Sequence, residues 1–165
     1  MIVVLMGVSG SGKTTIGTLL AKREGTVFAD ADDYHPAANK QKMASGQPLN
    51  DDDRQPWLET LNQLMRGWYE SGKGGVLACS ALKEKYRTTL ASGLPPGTVT
   101  FVLLDGSREM IAERLAARKH EYMNPKLLES QLATLEPPHD ALCVVNDRAP
   151  QLVVDEIVQH VGNRT

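Results

Sequence analysis

The stretch from Gly7 to Thr14, which reads GVSGSGKT, constrains the fold of this chain more than any other. It fits the pattern G-x-x-x-x-G-K-[ST], in which glycines let backbone N–H groups approach and surround a phosphate. An apolar run at 2–6 precedes it, as a buried strand would, and residues 13–23 follow with apolar side chains at helical spacing. Strand, glycine loop and helix in this order predict a phosphate-binding loop within an α/β fold.

The residues of this loop have separate parts in holding a nucleoside triphosphate. The loop backbone and the positive end of the following helix would surround the β-phosphate. Lys13 supplies a mobile cation to the β- and γ-phosphates, and the hydroxyl of Thr14 is suited to ligate Mg²⁺. The nucleotide-binding residues predicted from the motif are Gly7, Val8, Ser9, Gly10, Ser11, Gly12, Lys13 and Thr14.

The rest of the chain alternates between strand-like and helical patterns. Further strands are predicted at about 26–29, 75–79, 99–104 and 142–146, and helices at about 51–70, 83–91, 107–117 and 150–161. This alternation predicts a three-layer fold, in which helices cover both faces of a five-stranded parallel sheet. A chain of 165 residues suits one domain with a sizeable core, so we expect a single domain over 1–165.

Two polar segments interrupt the alternation. One covers about 30–54, between the second strand and the long helix, and the other covers about 118–138, before the last strand. Ligands of open α/β sheets bind beyond the carboxyl ends of the strands, so insertions that leave those ends can close over a site. We therefore predict a substrate-binding segment at 30–54 and a lid at 118–138, with surface decoration as the alternative for each.

Charge and cysteine content exclude several classes of function. The net charge of −2 gives no reason to expect nucleic acid or an anionic membrane as the main partner. No apolar run approaches the ~20 residues of a spanning helix, and the apolar start leads into the phosphate loop rather than a signal-peptide pattern. Cys79 and Cys143 lie in strand-like runs, which favours buried free thiols over a disulfide or metal site. We expect a cytoplasmic protein.

A second group of chemically active residues follows the second predicted strand, where the chain reads DADDYH. Phosphoryl transfer to a hydroxyl requires Mg²⁺, an oriented acceptor and a group that takes the acceptor's proton. Two carboxylates spaced i, i+2 at the end of a strand can lie on one side of the chain, which suits Asp30 to the water shell of the metal and Asp32 to the hydroxyl. The third strand ends in Cys79 and Ser80 rather than an aspartate, which strengthens this assignment. The alternative is a solvated acidic turn.

Three cations near the predicted helix starts are candidates for binding an anionic group. Arg54 would lie in the first turn of a helix, where the dipole disfavours a cation, so a carboxylate of either the protein or the substrate is the expected partner. Asp51 and Asp52 fit capping of that helix. Lys83 and Arg87 are four residues apart, so one helical face can carry both, and a solvated face is the alternative.

These blocks resemble the gluconate kinases, a branch of the nucleoside-monophosphate-kinase-like group of P-loop kinases. The match extends from Leu5 to about Asp147 and includes, in order and spacing, GVSGSGKT, DADDYH, the block at 39–58, CSALKEKYR at 79–87 and LLESQLATLEPP at 127–138. Shikimate kinases share the D-x-D but carry a triple-glycine motif where this chain has CSALK. GTPases would require an N-K-x-D motif, which the sequence lacks.

The resemblance implies transfer of the γ-phosphate of ATP to the 6-hydroxyl of D-gluconate, with Mg²⁺, and it implies a homodimer. Asp32 would orient or deprotonate the hydroxyl, and Asp30 would hold the metal through water. Candidate ligands for the hydroxyls and carboxylate of the sugar acid are His35, Arg54, Lys83 and Arg87. A pocket with cations beside one acid suits an anionic polyhydroxylated acceptor.

Arg114 and Arg118 form an R-x-x-x-R pattern at the start of the second interruption. In the wider kinase group this pattern places the first arginine against the adenine face and the second on the transferring phosphates, and both contacts are sound chemistry. Surface ion pairing is the alternative. Many relatives have a His-Phe pair three residues later, where this chain has Glu121-Tyr122, so we expect no such histidine contact here. Residues 144–150 would form the adenine-side loop.

Two other hypotheses stay open at this point. A related small-molecule kinase would act on another sugar acid or on shikimate. A nucleotide-dependent switch would bind ATP without an acceptor, but a pure binder needs neither the D-x-D nor the pair of arginines.

Overall fold

The structure, a computed structural model, describes residues 1–8, 10–106, 110, 113, 131–136 and 141–162. Within them one sheet contains the strands β1 (Ile2–Met6), β2 (Val27–Asp30), β3 (Gly75–Ala78), β4 (Val99–Asp105) and β5 (Leu142–Val145). Their order is β2-β3-β1-β4-β5, and every pairing is parallel. The predicted five-stranded parallel sheet is confirmed, with each boundary within one residue of its expected position.

Helices flank the sheet at the predicted places. The described helices are α1 (Lys13–Glu24), α2 (Ala37–Ala44), α3 (Asp51–Ser71), α4 (Glu84–Ala91) and α5 (Pro150–Gly162). The sequence did not predict α2 or the 3-10 helix Ala31–Tyr34, both of which lie inside the interruption at 30–54. The helix predicted at 107–117 lies mostly outside the described residues, although 110 and 113 are helical. No helix in the described part of the chain is long and apolar enough to cross a membrane.

Two hydrophobic layers cover the two faces of the sheet, because alternate residues of each strand point to opposite faces. On β1, Ile2, Val4 and Met6 pack on the face covered by α3 and α4, whereas Val3 and Leu5 pack on the face covered by α1 and α5. All of these β1 side chains are buried, as expected for a central parallel strand. The helices therefore cover both faces of the sheet, and the candidate site lies at the edge formed by the carboxyl ends of the strands.

The topology brings three strand ends together at that edge. The chain passes from β1 through α1 to β2, then returns to β3, which lies between them. Such a reversal next to β1 opens a crevice beyond the carboxyl ends of the strands, where ligands bind in open α/β sheets. The phosphate loop after β1, Asp30 at the end of β2 and Cys79 after β3 meet there.

Two local expectations are wrong. The cap of α3 is Asn50, whose side chain accepts from the N–H of Asp53 while the Asp53 carboxylate accepts from the N–H of Asn50. Asp51 is therefore not needed as a cap and faces α4 instead. Both cysteines are free, but only Cys79 is buried, because Cys143 lies on the edge strand β5 and is exposed.

Candidate active site

Backbone geometry shapes the phosphate loop. Gly7, Gly10 and Gly12 all have positive φ angles, of 144°, 84° and 97°. A Cβ on Gly7 would lie 2.8 Å from the carbonyl oxygen of Leu104, so the close approach of the loop to β4 also requires glycine. Gly12 caps α1 without a side-chain hydrogen bond, and the first turn of a helix is where backbone N–H groups bind an anion.

Hydrogen bonds from the loop's own lysine and from the end of β5 hold it in place. The Nζ of Lys13 donates to the carbonyl of Gly7 at 2.7 Å and to that of Val8 at 3.1 Å. The buried side chain of Asn146, directly after β5, donates to the carbonyl of Ser11 at 2.8 Å. Thr14 is exposed at the start of α1. Ser9, the remaining predicted loop residue, lies outside the described residues.

The two aspartates of the D-x-D are joined by a turn, not by a strand. Asp30 ends β2 and caps the 3-10 helix, where its carboxylate accepts from the N–H of Asp32 at 3.0 Å. The expected i, i+2 arrangement on an extended chain is therefore replaced by a cap. The side chain of Asp32 is 85% exposed. Aspartate favours such a turn because its side chain accepts from the backbone N–H two residues on, so the sequence did contain this signal.

The two aspartates follow β2 and the loop lysine follows β1, at the same edge of the sheet as Cys79 after β3. Burial raises the pKa of the Cys79 thiol to about 12, and the charges of Lys13, Asp32 and Asp30 also act on this thiol. The protonated thiol is therefore no nucleophile near neutral pH. The charges of Lys13, Asp30 and Asp32 all act on this thiol, and the elements that carry these residues follow the carboxyl ends of β1 and β2 at the same edge of the sheet.

His35 is enclosed at the start of the interruption. Its side chain is 6% exposed and stacks on the indole of Trp57, with ring centroids 4.3 Å apart. Its Nε2 lies 3.9 Å from a carboxylate oxygen of Asp32. Burial, followed by the charges of Arg54 and Lys40, lowers the pKa of His35, so the ring is neutral near pH 7.

A cluster around Asp51 contains two of the predicted ligands of the sugar acid, Arg54 and Lys83, together with Lys85. The carboxylate of Asp51 accepts from the hydroxyl of Tyr86 at 2.5 Å and from Lys85, and Lys83 donates to it at 3.4 Å. The guanidinium of Arg54 lies 3.8 Å away. Hydrogen bonds from Lys85 and Tyr86 hold the pKa of Asp51 far below its usual range. Arg54 therefore has a protein carboxylate as partner, one of the two options that its position left open.

Tyr86 is the centre of this cationic cluster, which consists of Arg54, Lys83 and Lys85. The guanidinium of Arg54 donates to its hydroxyl at 3.3 Å, and the three cations lie 5.7 to 6.0 Å from its ring centroid. Tyr86, Lys85 and Asp51 were not predicted as site residues. The signals available for them were that Lys85 and Tyr86 belong to the CSALKEKYR block and Asp51 to the block at 39–58.

Arg87 has structural contacts. Its residue is 8% exposed, and its guanidinium donates to the carbonyls of Ala81 at 2.8 Å and Glu136 at 2.9 Å. Ala81 has a φ of 43°, a left-handed conformation that is strained for a residue with a Cβ. Glu136 also donates its N–H to Leu82 and accepts from the N–H of Glu84. The predicted contact of Arg87 with the sugar acid stays a prediction. Lys83, which was expected on the same helical face as Arg87, is the N-cap residue of α4.

The structure leaves part of the predicted lid undescribed. Arg114 and Arg118 lie outside the described residues, as do Glu121 and Tyr122. Residues 131–136 are described, and the side chain of Leu135 packs against the core and against Val8 and Leu82. The carboxyl end of the predicted lid is thus attached beside the phosphate loop.

Comparison with known proteins places this site in a family. The family model described as "AAA domain" matches residues 2–138. A probable gluconokinase from Dictyostelium discoideum is 43% identical over 99% of this chain and 85% of its own. The gluconokinase of Gluconobacter oxydans is 45% identical over 95% of this chain and 89% of its own. The chain belongs to the gluconokinase family. Its fold is accordingly the α/β P-loop kinase fold.

A solved structure within the gluconokinase family agrees with this assignment. The crystal structure of a gluconokinase from Sinorhizobium meliloti 1021 superposes with a TM-score of 0.86 at 38% identity, and covers 98% of this chain and 91% of that one. The fold predicted from the strand and helix pattern and the family predicted from the sequence blocks are both confirmed.

Proposed function

We propose that the protein transfers the γ-phosphate of ATP to the 6-hydroxyl of D-gluconate, giving ADP and 6-phospho-D-gluconate. The observation that carries this proposal is the position of the phosphate loop with Lys13, and of Asp30 and Asp32, at one edge of the sheet in a chain of the gluconokinase family. A phosphate-binding cation and a carboxylate within one crevice are the two groups that phosphoryl transfer to a hydroxyl needs.

The chemistry on the nucleotide side follows from the loop. The hydroxyl oxygen forms a bond to the γ-phosphorus, the bond from that phosphorus to the bridging oxygen of ADP breaks, and Asp32 receives the hydroxyl proton. Lys13, which is already turned over the loop, stabilises the charge on the transferring group. Arg118 would add to this stabilisation, and Arg114 would stack on the adenine.

Oxygen donors in the site fit Mg²⁺. The described residues contain no group of three or more His, Cys, Asp or Glu side chains that would hold a metal by itself. Mg²⁺ is commonly held by one or two protein oxygens, by substrate phosphates and by several waters. Thr14 would be its direct ligand and Asp30 a ligand through water. When bound, the ion neutralises charge on the β- and γ-phosphate oxygens.

The cationic cluster suits an acceptor that carries a carboxylate. Arg54, Lys83 and Lys85 outnumber the single carboxylate of Asp51 between them. We assign the carboxylate of gluconate to Arg54 and Lys83, because a guanidinium and an ammonium bind a carboxylate by charge-assisted hydrogen bonds. Arg87 contributes by holding the loop that carries Lys83.

The proposal extends to the domain, its two segments and the oligomer. A single P-loop kinase domain over 1–165 binds the acceptor with the segment 30–54 and closes the site with the lid segment 118–138. The protein works in the cytoplasm as a homodimer, with ATP, Mg²⁺ and gluconate as its small-molecule partners.

The test is a coupled assay of ADP release with ATP and Mg²⁺. The acceptors are gluconate, other aldonic acids, shikimate, nucleoside monophosphates and a blank without acceptor. Gluconate should give the highest kcat/KM, with product phosphorylated at the 6-position by phosphorus NMR. Turnover of shikimate or of another aldonic acid in preference to gluconate would reject the assignment. ATP binding without acceptor-stimulated ADP release would indicate a nucleotide-dependent switch.

A further inference from the structure

Contacts from two neighbouring elements hold the ring of His35 in one orientation. The imidazole stacks on the indole of Trp57 with 14° between the ring planes. Trp57 is itself fixed, because its Nε1 donates to the carbonyl of Ala31 at 2.7 Å inside the core. Ala31 opens the 3-10 helix that carries Asp32. The indole of Trp57 therefore contacts both the ring of His35 and the 3-10 helix that carries the predicted catalytic residue Asp32.

Asn39 on α2 determines which ring nitrogen of His35 carries the hydrogen. The amide nitrogen of buried Asn39 donates to the carbonyl of Asp53 at 2.9 Å, which fixes the orientation of the amide. The same nitrogen lies 3.3 Å from Nδ1 of His35. Because an amide nitrogen donates and does not accept, Nδ1 accepts this bond and the hydrogen of the neutral ring is on Nε2.

The hydrogen on Nε2 is directed toward Asp32. Nε2 lies 3.9 Å from Oδ1 of Asp32, which is longer than a hydrogen bond. The Asp32 side chain is exposed, so a small rotation of its carboxylate closes this gap. Catalytic hydrogen bonds are often long before substrate binds and shorten in the reactive complex.

We infer that His35 is a positioning residue for Asp32, and that Asn39 acts through it by fixing the tautomer. In the complex with acceptor, Nε2–H donates to one carboxylate oxygen of Asp32, and the other oxygen turns toward the hydroxyl and receives its proton. His35 keeps its own hydrogen throughout. The inference rests on the proposed function, in which Asp32 is the proton acceptor, and it differs from direct binding of the sugar by His35.

Kinetics of four variants of the full chain test the inference. His35→Phe keeps the stack on Trp57 and removes the donor, so kcat should fall by about 10-fold to 100-fold, part of the contribution of a general base, with KM for gluconate near the wild-type value. His35→Gln keeps an N–H donor and should recover most of kcat. Asn39→Leu should also lower kcat, but combined with His35→Phe it should add no further loss.

Asn62→Leu is the matched control. Asn62 is another buried asparagine whose amide donates to two carbonyls, those of Leu90 and Ser92, away from the site. It should lose stability as Asn39→Leu does but keep kcat. The inference is overturned if Asn39→Leu affects kcat no more than this control, or if His35→Phe or His35→Gln raises KM with kcat unchanged. If His35→Phe does not fold, Asn39→Leu and His35→Gln decide the result.

Failure of the proposed function gives a different result. If the wild-type protein turns over another acceptor instead of gluconate, the function is wrong, and the same kcat comparison with that acceptor still tests the role of His35.

Discussion

The proposed nucleotide side and the proposed acceptor side of the crevice are built in different ways. The nucleotide side is a loop of consecutive residues, shaped by positive φ angles at Gly7, Gly10 and Gly12 and held by hydrogen bonds to its own carbonyls. The acceptor side consists of side chains from three separate elements: the 3-10 helix, α3 and α4. One half is fixed by local backbone geometry, and the other depends on tertiary contacts between charged groups.

This difference indicates which half can adapt. The contacts of the cationic cluster with Asp51 involve partly exposed side chains, and ion pairs of this kind are weak because water screens them. Under the proposed function, the carboxylate of gluconate would therefore replace Asp51 as the partner of Arg54 and Lys83. In the phosphate loop, by contrast, Lys13 donates to the backbone carbonyls of Gly7 and Val8.

The largest expected effect separates chemistry from binding. Asp32→Asn keeps the size of the side chain but removes the proton acceptor, so kcat should fall by about 10²-fold to 10⁴-fold. KM for ATP should stay near the wild-type value, as measured by steady-state kinetics. Asp33→Asn, in the next position, is the control and should keep kcat. Gluconate turnover at nearly the wild-type rate in Asp32→Asn would remove Asp32 from the mechanism.

The next effect is confined to the nucleotide side. Lys13→Ala should lower kcat by about 10²-fold to 10³-fold, because the variant lacks the cation that stabilises the transferring group. Lys22→Ala, in the last turn of the same helix, should leave the rate unchanged. Circular dichroism would check that both variants are folded. A Lys13→Ala enzyme with normal kcat would show that the loop binds no reacting phosphate.

Arg87 tests whether a cation beside the acceptor site is structural. Arg87→Met leaves the carbonyls of Ala81 and Glu136 without their donor, so the free energy of unfolding should fall by about 2 kcal/mol or more. Urea unfolding would measure it, with the partly exposed Arg66→Met as control. Unchanged stability together with a raised KM for gluconate would instead make Arg87 a ligand of the sugar acid, as the family resemblance implies.

Arg54 tests the acceptor side directly. Arg54→Ala removes one charge-assisted contact, worth about 1.5–3 kcal/mol, so KM for gluconate should rise about 10-fold to 100-fold while KM for ATP changes little. Steady-state kinetics with each substrate varied in turn gives both constants. An unchanged KM for gluconate would leave Arg54 as a partner of Asp51 alone.

The smallest expected effect is a dependence of stability on pH. The folded protein holds the pKa of His35 below its ordinary value of 6.5, so the unfolded chain binds more protons between the folded pKa and 6.5. The stability from neutral His35 is present above pH 6.5 and is lost as the pH falls through the folded pKa. Urea unfolding at about pH 7.5 and about pH 5.5 should show a loss below the single-proton limit of about 1.4 kcal/mol per pH unit. His35→Phe should reduce this loss, and an identical loss in both proteins would contradict the assignment.

The sequence predicted the elements whose signals are local. Strand boundaries followed from apolar runs, and the phosphate loop followed from its glycines and lysine. The 3-10 helix and α2 were missed because they are short and polar and are stabilised by contacts with α3, such as the bond from Asn39 to the Asp53 carbonyl. Nothing local indicates that Asp51 pairs with Tyr86, since 35 residues separate them. The sequence could therefore name candidate residues of the acceptor side but could not show which of them contact one another.

Calorimetric binding of a non-hydrolysable ATP analogue and of gluconate to Lys13→Ala and Arg54→Ala tests the independence of the two halves most directly. Lys13→Ala should weaken binding of the analogue about 10-fold or more and leave the affinity for gluconate unchanged, whereas Arg54→Ala should do the reverse. If Arg54→Ala weakens the analogue as much as gluconate, or leaves gluconate unaffected, the division of the site into a nucleotide half and an acceptor half is wrong.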